Sequence, residues 1–332
     1  MSYLTHLGTL RLPRLVCCLS MAVSAGGRAD ETPAPVAHEQ SGQATQLNEI
    51  IVQEPEPRFV APTRRDRIGR IWAPVLIDGK GPYRLVLDTG ANRSAVTERT
   101  AQSLGIPESG RASAQVTGFT GSAVVSTIHV SSMEIGDLEL EPANLPVLAD
   151  VFGGADGVLS LTGLSRERIV ADFVHDRLEI AWSQREHAPR GYAVVPLHMV
   201  NGLPVALVRI GGVTTKAIID TGAQLSVGNL ALRDALARSA PRNAVREEIV
   251  GVTLDMQSGD RIPSPDMQIG HLTIRGLNIV YGDMYLFQHW RFTNEPALAI
   301  GMDLLGSFDV LIIDCAQREM QLLPRRKAQA QP

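Results

Sequence analysis

One short motif occurs twice in this chain. Leu87-Asp88-Thr89-Gly90-Ala91 and Ile219-Asp220-Thr221-Gly222-Ala223 lie 132 residues apart, each behind an apolar run. The flanks repeat as well. A strand-like segment precedes each motif, Trp72–Ile77 and Leu203–Ile210, and turns at glycine, Asp78-Gly79 and Gly211-Gly212, into the strand that carries the aspartate. Asp-Gly and Gly-Gly between apolar runs are hairpin signals, because both turn residues must take positive φ. After each motif come a helix-like stretch, 98–104 and 230–236, and short alternating segments with Gly turns. Each half closes on an apolar–Gly element and a strand ending at an acid, 169–172 and 310–314. A period near 130 residues is too long for a solenoid repeat and fits duplication of a small β domain.

Composition narrows the function classes. Hydrophobic residues make up 44% and charged residues 20% of the 332, enough to bury a core. With 31 basic against 35 acidic residues and only 5% aromatics, neither a basic nucleic-acid surface nor a base-stacking platform is expected. Thirty glycines and twenty prolines suit the many tight turns of an all-β chain. The eight histidines are scattered, with no His-Glu-x-x-His pair, so no metal site and no cofactor are expected. A Gly-x-Ser-x-Gly elbow and a Walker loop are both missing.

The two ends read as non-catalytic. Arg11 and Arg14 precede a short apolar run, Leu15 to Val23, and small residues follow at Ser24-Ala25 and Gly27-Arg28-Ala29. That is the pattern of a secretory signal peptide over residues 1–29, too short to span a membrane, and it predicts an exported chain, periplasmic or secreted. Residues 30–68 are rich in Pro, Ala, Glu and Gln and read as a disordered linker; 324–332 read as a polar tail. Cys17 and Cys18 would leave with the signal, and Cys315 follows an apolar run as a buried small hydrophobe.

The paired motifs, with Ile300-Gly301-Met302-Asp303-Leu304-Leu305 closing the second half, resemble the retropepsin-like aspartic proteases of the pepsin clan, most closely bacterial chains with two Asp-Thr-Gly motifs. The resemblance covers about residues 69–323. It implies an all-β fold of two homologous β-barrel lobes with short helices, residues 69–185 and 186–323. The implied activity is aspartic endopeptidase action on a peptide or unfolded protein, with Asp88 and Asp220 as the catalytic pair and no covalent intermediate. Two lobes in one chain imply a monomer. The alternative is a peptide-binding protein on the same fold that does not cut.

The chemistry explains why such a protein needs these residues. Two carboxylates about 3 Å apart share a proton, so one accepts a proton from water while the other donates to the scissile carbonyl. Their titration belongs to the pair. The resemblance implies that Thr89 and Thr221 bond across to the other lobe's backbone, and that Gly90 and Gly222 let amides approach the carboxylates. Ala91 and Ala223 replace the hydroxyl residue that pepsin-like enzymes carry there. Losing a hydrogen bond to the charged form weakens the acid, so the expected working pH is less acidic than pepsin's.

Two Gly-turn segments are expected flaps: Gly118-Phe119-Thr120-Gly121 in the first lobe and the stretch around Met256 in the second. Ala95, Val158, Leu159, Val227 and Ile300 fall where the family lines its substrate pockets. Ser160 departs from the pattern, since the family more often has Gly there, and neither flap carries pepsin's Tyr. Asp156, Asp172, Asp303 and Asp314 read as turn and cap residues.

Overall fold

The computed structural model describes residues 69–136, 138–236 and 244–325, with the backbone of three dipeptides at 17–18, 21–22 and 61–62. The rest of the expected signal segment and linker, and residues 326–332 of the tail, lie outside the described residues. The described chain is mostly β, with four short helices, Glu98–Ser103, Leu230–Leu236, Tyr285–His289 and Met302–Leu305. No helix among the described residues is long and apolar enough to cross a membrane.

Each half of the repeat builds the same sheet. In the first lobe the hydrogen-bonded order runs Ala112–Gly118, Ser122–Val130, Ala143–Leu148, Ala95–Thr97, Gly157–Ser160, Lys80–Asp88, Trp72–Ile77, Met133–Ile135, Leu138–Leu140. In the second it runs Val245–Val250, Met256–Pro263, Asn278–Tyr281, Val227–Gly228, Ala297–Ile300, Val213–Ile219, Leu203–Ile210, Met267–Ile269, Leu272–Ile274. Position for position the two lists match, and each path is extended by one more strand, Cys17–Cys18 beside Ala112–Gly118 and Met21–Ala22 beside Val245–Val250. Two homologous all-β lobes are present as expected, and among the described residues neither strand path closes into a complete barrel.

Local chemistry accounts for the elements. Trp72–Ile77 alternates, burying Ala73, Val75 and Ile77, as a half-buried strand should. It pairs antiparallel with Lys80–Asp88 through a turn at Asp78 (φ 48°) and Gly79 (φ 69°); the counterpart turn is Gly211 (φ 53°) and Gly212 (φ 87°). The left-handed conformation at both positions is why Asp-Gly and Gly-Gly stand there. Thr97 caps the first helix by accepting from the Thr100 amide, and the Asn229 Oδ1 accepts from Leu232 in the second.

One arrangement places the aspartates. The strand Gly157–Ser160 inserts between Lys80–Asp88, to which it is parallel, and Ala95–Thr97, to which it is antiparallel. Ala297–Ile300 does the same between Val213–Ile219 and Val227–Gly228. The Asp-Thr-Gly loop must therefore arch over the end of the inserted strand. That loop is held from below by backbone that arrives about 70 residues later in lobe one and about 80 later in lobe two.

The lobes are joined by a third sheet. Glu167–Asp172 of lobe one pairs antiparallel with Phe308–Asp314 of lobe two. Val170 faces Ile312, with Arg168 opposite Asp314 and Asp172 opposite Val310, a register that places an approximate two-fold axis at the central pair. Arg177–Trp182 and Glu319–Pro324 flank them, and Ala193–Pro196 adds to the lobe-two side. Ala61–Pro62 adds to the lobe-one side, so the expected linker 30–68 contains an edge strand of this sheet. Pro62 is tolerated there because an edge residue can lack a ladder donor. The turns after both central strands are pinned by their acids, as expected. Asp172 Oδ1 accepts from the Val174 and His175 amides, and Asp314 Oδ1 from the Gln317 amide.

Candidate active site

The two motifs meet at the junction of the lobes. Thr89 and Thr221 hold each other: each amide donates to the other's hydroxyl at 3.1 Å. Each hydroxyl in turn donates to a carbonyl across the junction, Thr89 to Ile219 and Thr221 to Leu87, both at 2.6 Å. All four bonds are buried and cross between lobes, so the loops are fixed relative to each other and not only to their own sheets.

That geometry brings the carboxylates together. Asp88 and Asp220 are fully buried. The Asp88 Oδ1 accepts from the Gly90 amide at 2.9 Å, and the Asp220 Oδ1 from the Gly222 and Ala223 amides at 3.1 Å. The Asp88 carboxyl lies against the opposite loop: a methyl added at Gly222 would overlap it, with Oδ1 only 2.6 Å away. Glycine is required here for space. Burial, and then the Asp88 charge, push the Asp220 carboxyl well above the usual carboxylate range; the Gly222 and Ala223 amides oppose the shift. The Asp220 Oδ2 is buried without a hydrogen-bond partner in the protein. A buried carboxyl pair of this kind can hold one proton between two acids and present a base and a donor to the same small volume.

A supporting network below each loop escaped the sequence reading. In lobe two the Ser226 hydroxyl donates to Asp303 Oδ1 at 2.7 Å, its amide donates to Oδ2 at 2.9 Å, and its oxygen accepts from the Gly301 amide. Burial raises the Asp303 carboxyl, and the Ser226 bonds counter it. In lobe one the counterpart Ser94 accepts from the Ser160 amide at 3.1 Å. The signal was available, since serine stands six residues after the aspartate in both copies. Ser160, the departure from the family pattern, is accommodated: its hydroxyl lies 3.4 Å from Ser94 Oγ and accepts from Thr162. Its counterpart Gly301 has no such room, because a Cβ would come within 2.6 Å of the Leu225 carbonyl oxygen.

Two hairpins, one from each lobe, meet tip to tip. The first turns at Gly118–Gly121, where the Gly118 amide donates to the Gly121 carbonyl at 2.8 Å. The second turns at 251–255, with the Gly251 amide donating to Asp255 at 3.1 Å. The tips touch: a Cβ at Gly121 would strike the Asp255 carboxyl. Phe119 and Thr120 are buried. Met256, expected at the second tip, is instead 60% exposed at the start of the outgoing strand. The residue that points inward is Val252, 4% exposed, which repeats the Gly-apolar-Thr order of Gly118-Phe119-Thr120 as Gly251-Val252-Thr253.

The expected pocket residues divide by strand parity. Ala95 and Val158 pack in a small apolar cluster with Val86, Ala91 and Val252. Val227 packs in another with Ile218, Ala299 and Phe119. Leu159 and Ile300 belong to the large core instead, because successive residues of a strand point to opposite faces. In lobe two the residue that shares the Val227 cluster is thus Ala299, one position before Ile300. Cys315 packs against the large core, and burial pushes its thiol up to about 12.

A model of the aspartyl protease family matches residues 73–162 and 206–304, one match per lobe. The chain belongs to the aspartyl protease family. Each match contains one Asp-Thr-Gly loop with its preceding hairpin and its inserted closing strand. No curated protein matches the chain. Among the described residues no group of His, Cys, Asp and Glu is arranged to hold a metal ion.

Proposed function

We propose that this aspartyl protease family member is an active aspartic endopeptidase in which Asp88 and Asp220, one from each lobe, form the catalytic dyad. The observation that carries the reading is the Asp88 carboxyl lying against the Gly222 backbone, inside the reciprocal Thr89–Thr221 bonds. A water held between the carboxyls loses a proton to the ionised member as its oxygen attacks the scissile carbonyl carbon. The protonated member gives its proton to the carbonyl oxygen. Collapse of the tetrahedral diol breaks the C–N bond and protonates the leaving amine, and the pair again holds one proton. Roles within the pair are not divided, because a coupled dyad titrates as a unit.

The substrate is an extended peptide or an unfolded protein segment, and the protein acts as a monomer, since both halves of the site lie in one chain. The N-terminal sequence supports export, with the enzyme working in the periplasm or outside the cell. The test is cleavage of denatured casein by the mature protein, with and without pepstatin. Cleavage that pepstatin blocks and that Asp88→Asn and Asp220→Asn each abolish supports the dyad; cleavage surviving both substitutions refutes it.

A further inference from the structure

The two flaps are crossed. Phe119 of the lobe-one flap is 1% exposed and packs in a lobe-two cluster with Ile218, Val227, Phe287 and Ala299. Its ring meets Phe287 edge-on at 5.8 Å, and its carbonyl accepts from the Leu286 amide at 3.2 Å. Val252 of the lobe-two flap packs in a lobe-one cluster with Val86, Ala95, Phe152 and Val158.

The walls that receive these tips are equivalent in the two lobes. Val86 and Ile218 stand two residues before each aspartate, Ala95 and Val227 seven after, and Val158 and Ala299 on the inserted strands. The pockets therefore flank the dyad on the face that an extended peptide crossing it would meet. We infer that Phe119 and Val252 are intramolecular plugs, each filling the opposite lobe's side-chain pocket at rest, and that substrate side chains of similar shape replace them when the flaps lift. The inference rests on the protease reading and names its substrate class: a peptide with an aromatic side chain on the lobe-two side of the scissile bond and a valine-sized one on the lobe-one side.

Three observations support exchange over permanent packing. With the tips seated, Asp88 is 1% and Asp220 0% exposed, while Cys17–Cys18 and Met21–Ala22 pair with the flap strands Ala112–Gly118 and Val245–Val250, so those strands offer main-chain partners to an extended segment. The Thr120 hydroxyl, 95% buried by residue exposure of 5%, has no hydrogen-bond partner, and neither does the equivalent Thr253 hydroxyl. Buried hydroxyls left unpaired at the same place in both flaps mark positions that a peptide backbone would satisfy. Finally, Leu254 at the second tip is 59% exposed, so that tip already faces solvent on its outer side.

The pockets differ in the way the plugs do. The lobe-two pocket continues into Trp290 and Phe292, themselves edge-on at 6.5 Å, in a segment after Tyr281 that is longer than its lobe-one counterpart. The lobe-one pocket is walled by Val86, Ala91, Ala95 and Val158, with Phe152 as its one buried aromatic. A self-occupied pocket lowers apparent affinity by the fraction of molecules that are open.

The test compares the wild-type protein with Phe119→Ala and Phe119→Leu on paired quenched-fluorescence peptides that differ only in Phe or Ser beside the scissile bond. If Phe119 is a plug, Phe119→Ala lowers KM for the Phe peptide about three- to tenfold, with Phe119→Leu between, and the Ser peptide moves less. A KM that is raised or unchanged in both variants, with Tm retained, overturns the inference and makes Phe119 a closing clasp. Anisotropy of the labelled Phe peptide in the Asp88→Asn background makes the same comparison by binding alone. Absence of wild-type turnover would then count against the dyad, whereas unchanged binding on loss of Phe119 would count against the plug.

Discussion

Thr89 and Thr221 exchange hydrogen bonds as a reciprocal pair, each hydroxyl accepting from the other's amide at 3.1 Å and donating onward to a carbonyl of the opposite lobe at 2.6 Å. The consequence is that neither aspartate is positioned by its own lobe alone.

Breaking one side of that pair should therefore disturb both carboxylates. Thr221→Val removes one donor and one acceptor and leaves the Leu87 carbonyl and the Thr89 amide unpaired in a buried site, a cost of about 1–3 kcal/mol for each unsatisfied group. Thr221→Ser keeps the hydroxyl. Chemical denaturation should show a loss for the valine variant and near wild-type stability for the serine variant, with activity following the same order. Equal losses in both would mean that the methyl group, not the hydrogen bonds, holds the junction.

Gly222→Ala should abolish cleavage. The added methyl would overlap the Asp88 carboxyl, so either that side chain or the loop must move. A displacement of even about 1 Å at a reacting group costs on the order of 100-fold in rate. The control is Ser160→Gly, which changes a loop support that already tolerates a hydroxyl and should keep most activity in the same casein assay.

The raised Asp220 carboxyl makes a pH prediction for stability. Its folded-state pKa lies above the unfolded one, so the folded protein holds an extra proton between the two values. Stability from this group is fully present below the unfolded pKa, about 3.9, and is lost as pH rises through the folded value. Asp220→Asn keeps an oxygen for the Gly222 and Ala223 amides but carries no charge. Thermal scans should show the variant more stable than wild type near neutrality, with Tm higher by about 2–4 °C per kcal/mol recovered, and no different near pH 3. A gap that is the same at both pH values would sink the electrostatic explanation.

The same burial shapes the activity profile. A dyad is competent while it holds one proton, and raising the Asp220 carboxyl extends that window toward higher pH. The pH–rate profile on casein should hold activity in mildly acidic solution and fall on the alkaline limb as the second proton leaves. A profile peaking near pH 2 would contradict both this and the reading of Ala91 and Ala223.

Asp303→Asn tests the support beneath lobe two. Ser226 makes two bonds to that carboxylate, and a neutral amide retains only one acceptor for them. The expected result is a stability loss of about 1–2 kcal/mol with kcat reduced less than tenfold, since the group braces the loop without touching substrate.

Much of this was legible because it is local. Period-two alternation in Trp72–Ile77, paired turn residues at Asp78-Gly79 and Gly211-Gly212, and repetition of Asp-Thr-Gly are properties of neighbouring residues, so the sequence by itself determined a duplicated β chain with one special acid per copy. Distances between the copies are not local. Only the folded chain decided that the Asp88 carboxyl lies on Gly222, because that depends on the central register of Val170 opposite Ile312 and on the threonine pair. Which face of a strand meets the cleft was likewise undetermined: Val158 and Leu159, or Ala299 and Ile300, are equally apolar, and a strand buried on both faces leaves no polar mark to tell them apart. The crossing of Phe119 and Val252 into opposite lobes was hidden for the same reason, since an apolar residue at a hairpin tip reads the same whichever pocket it fills.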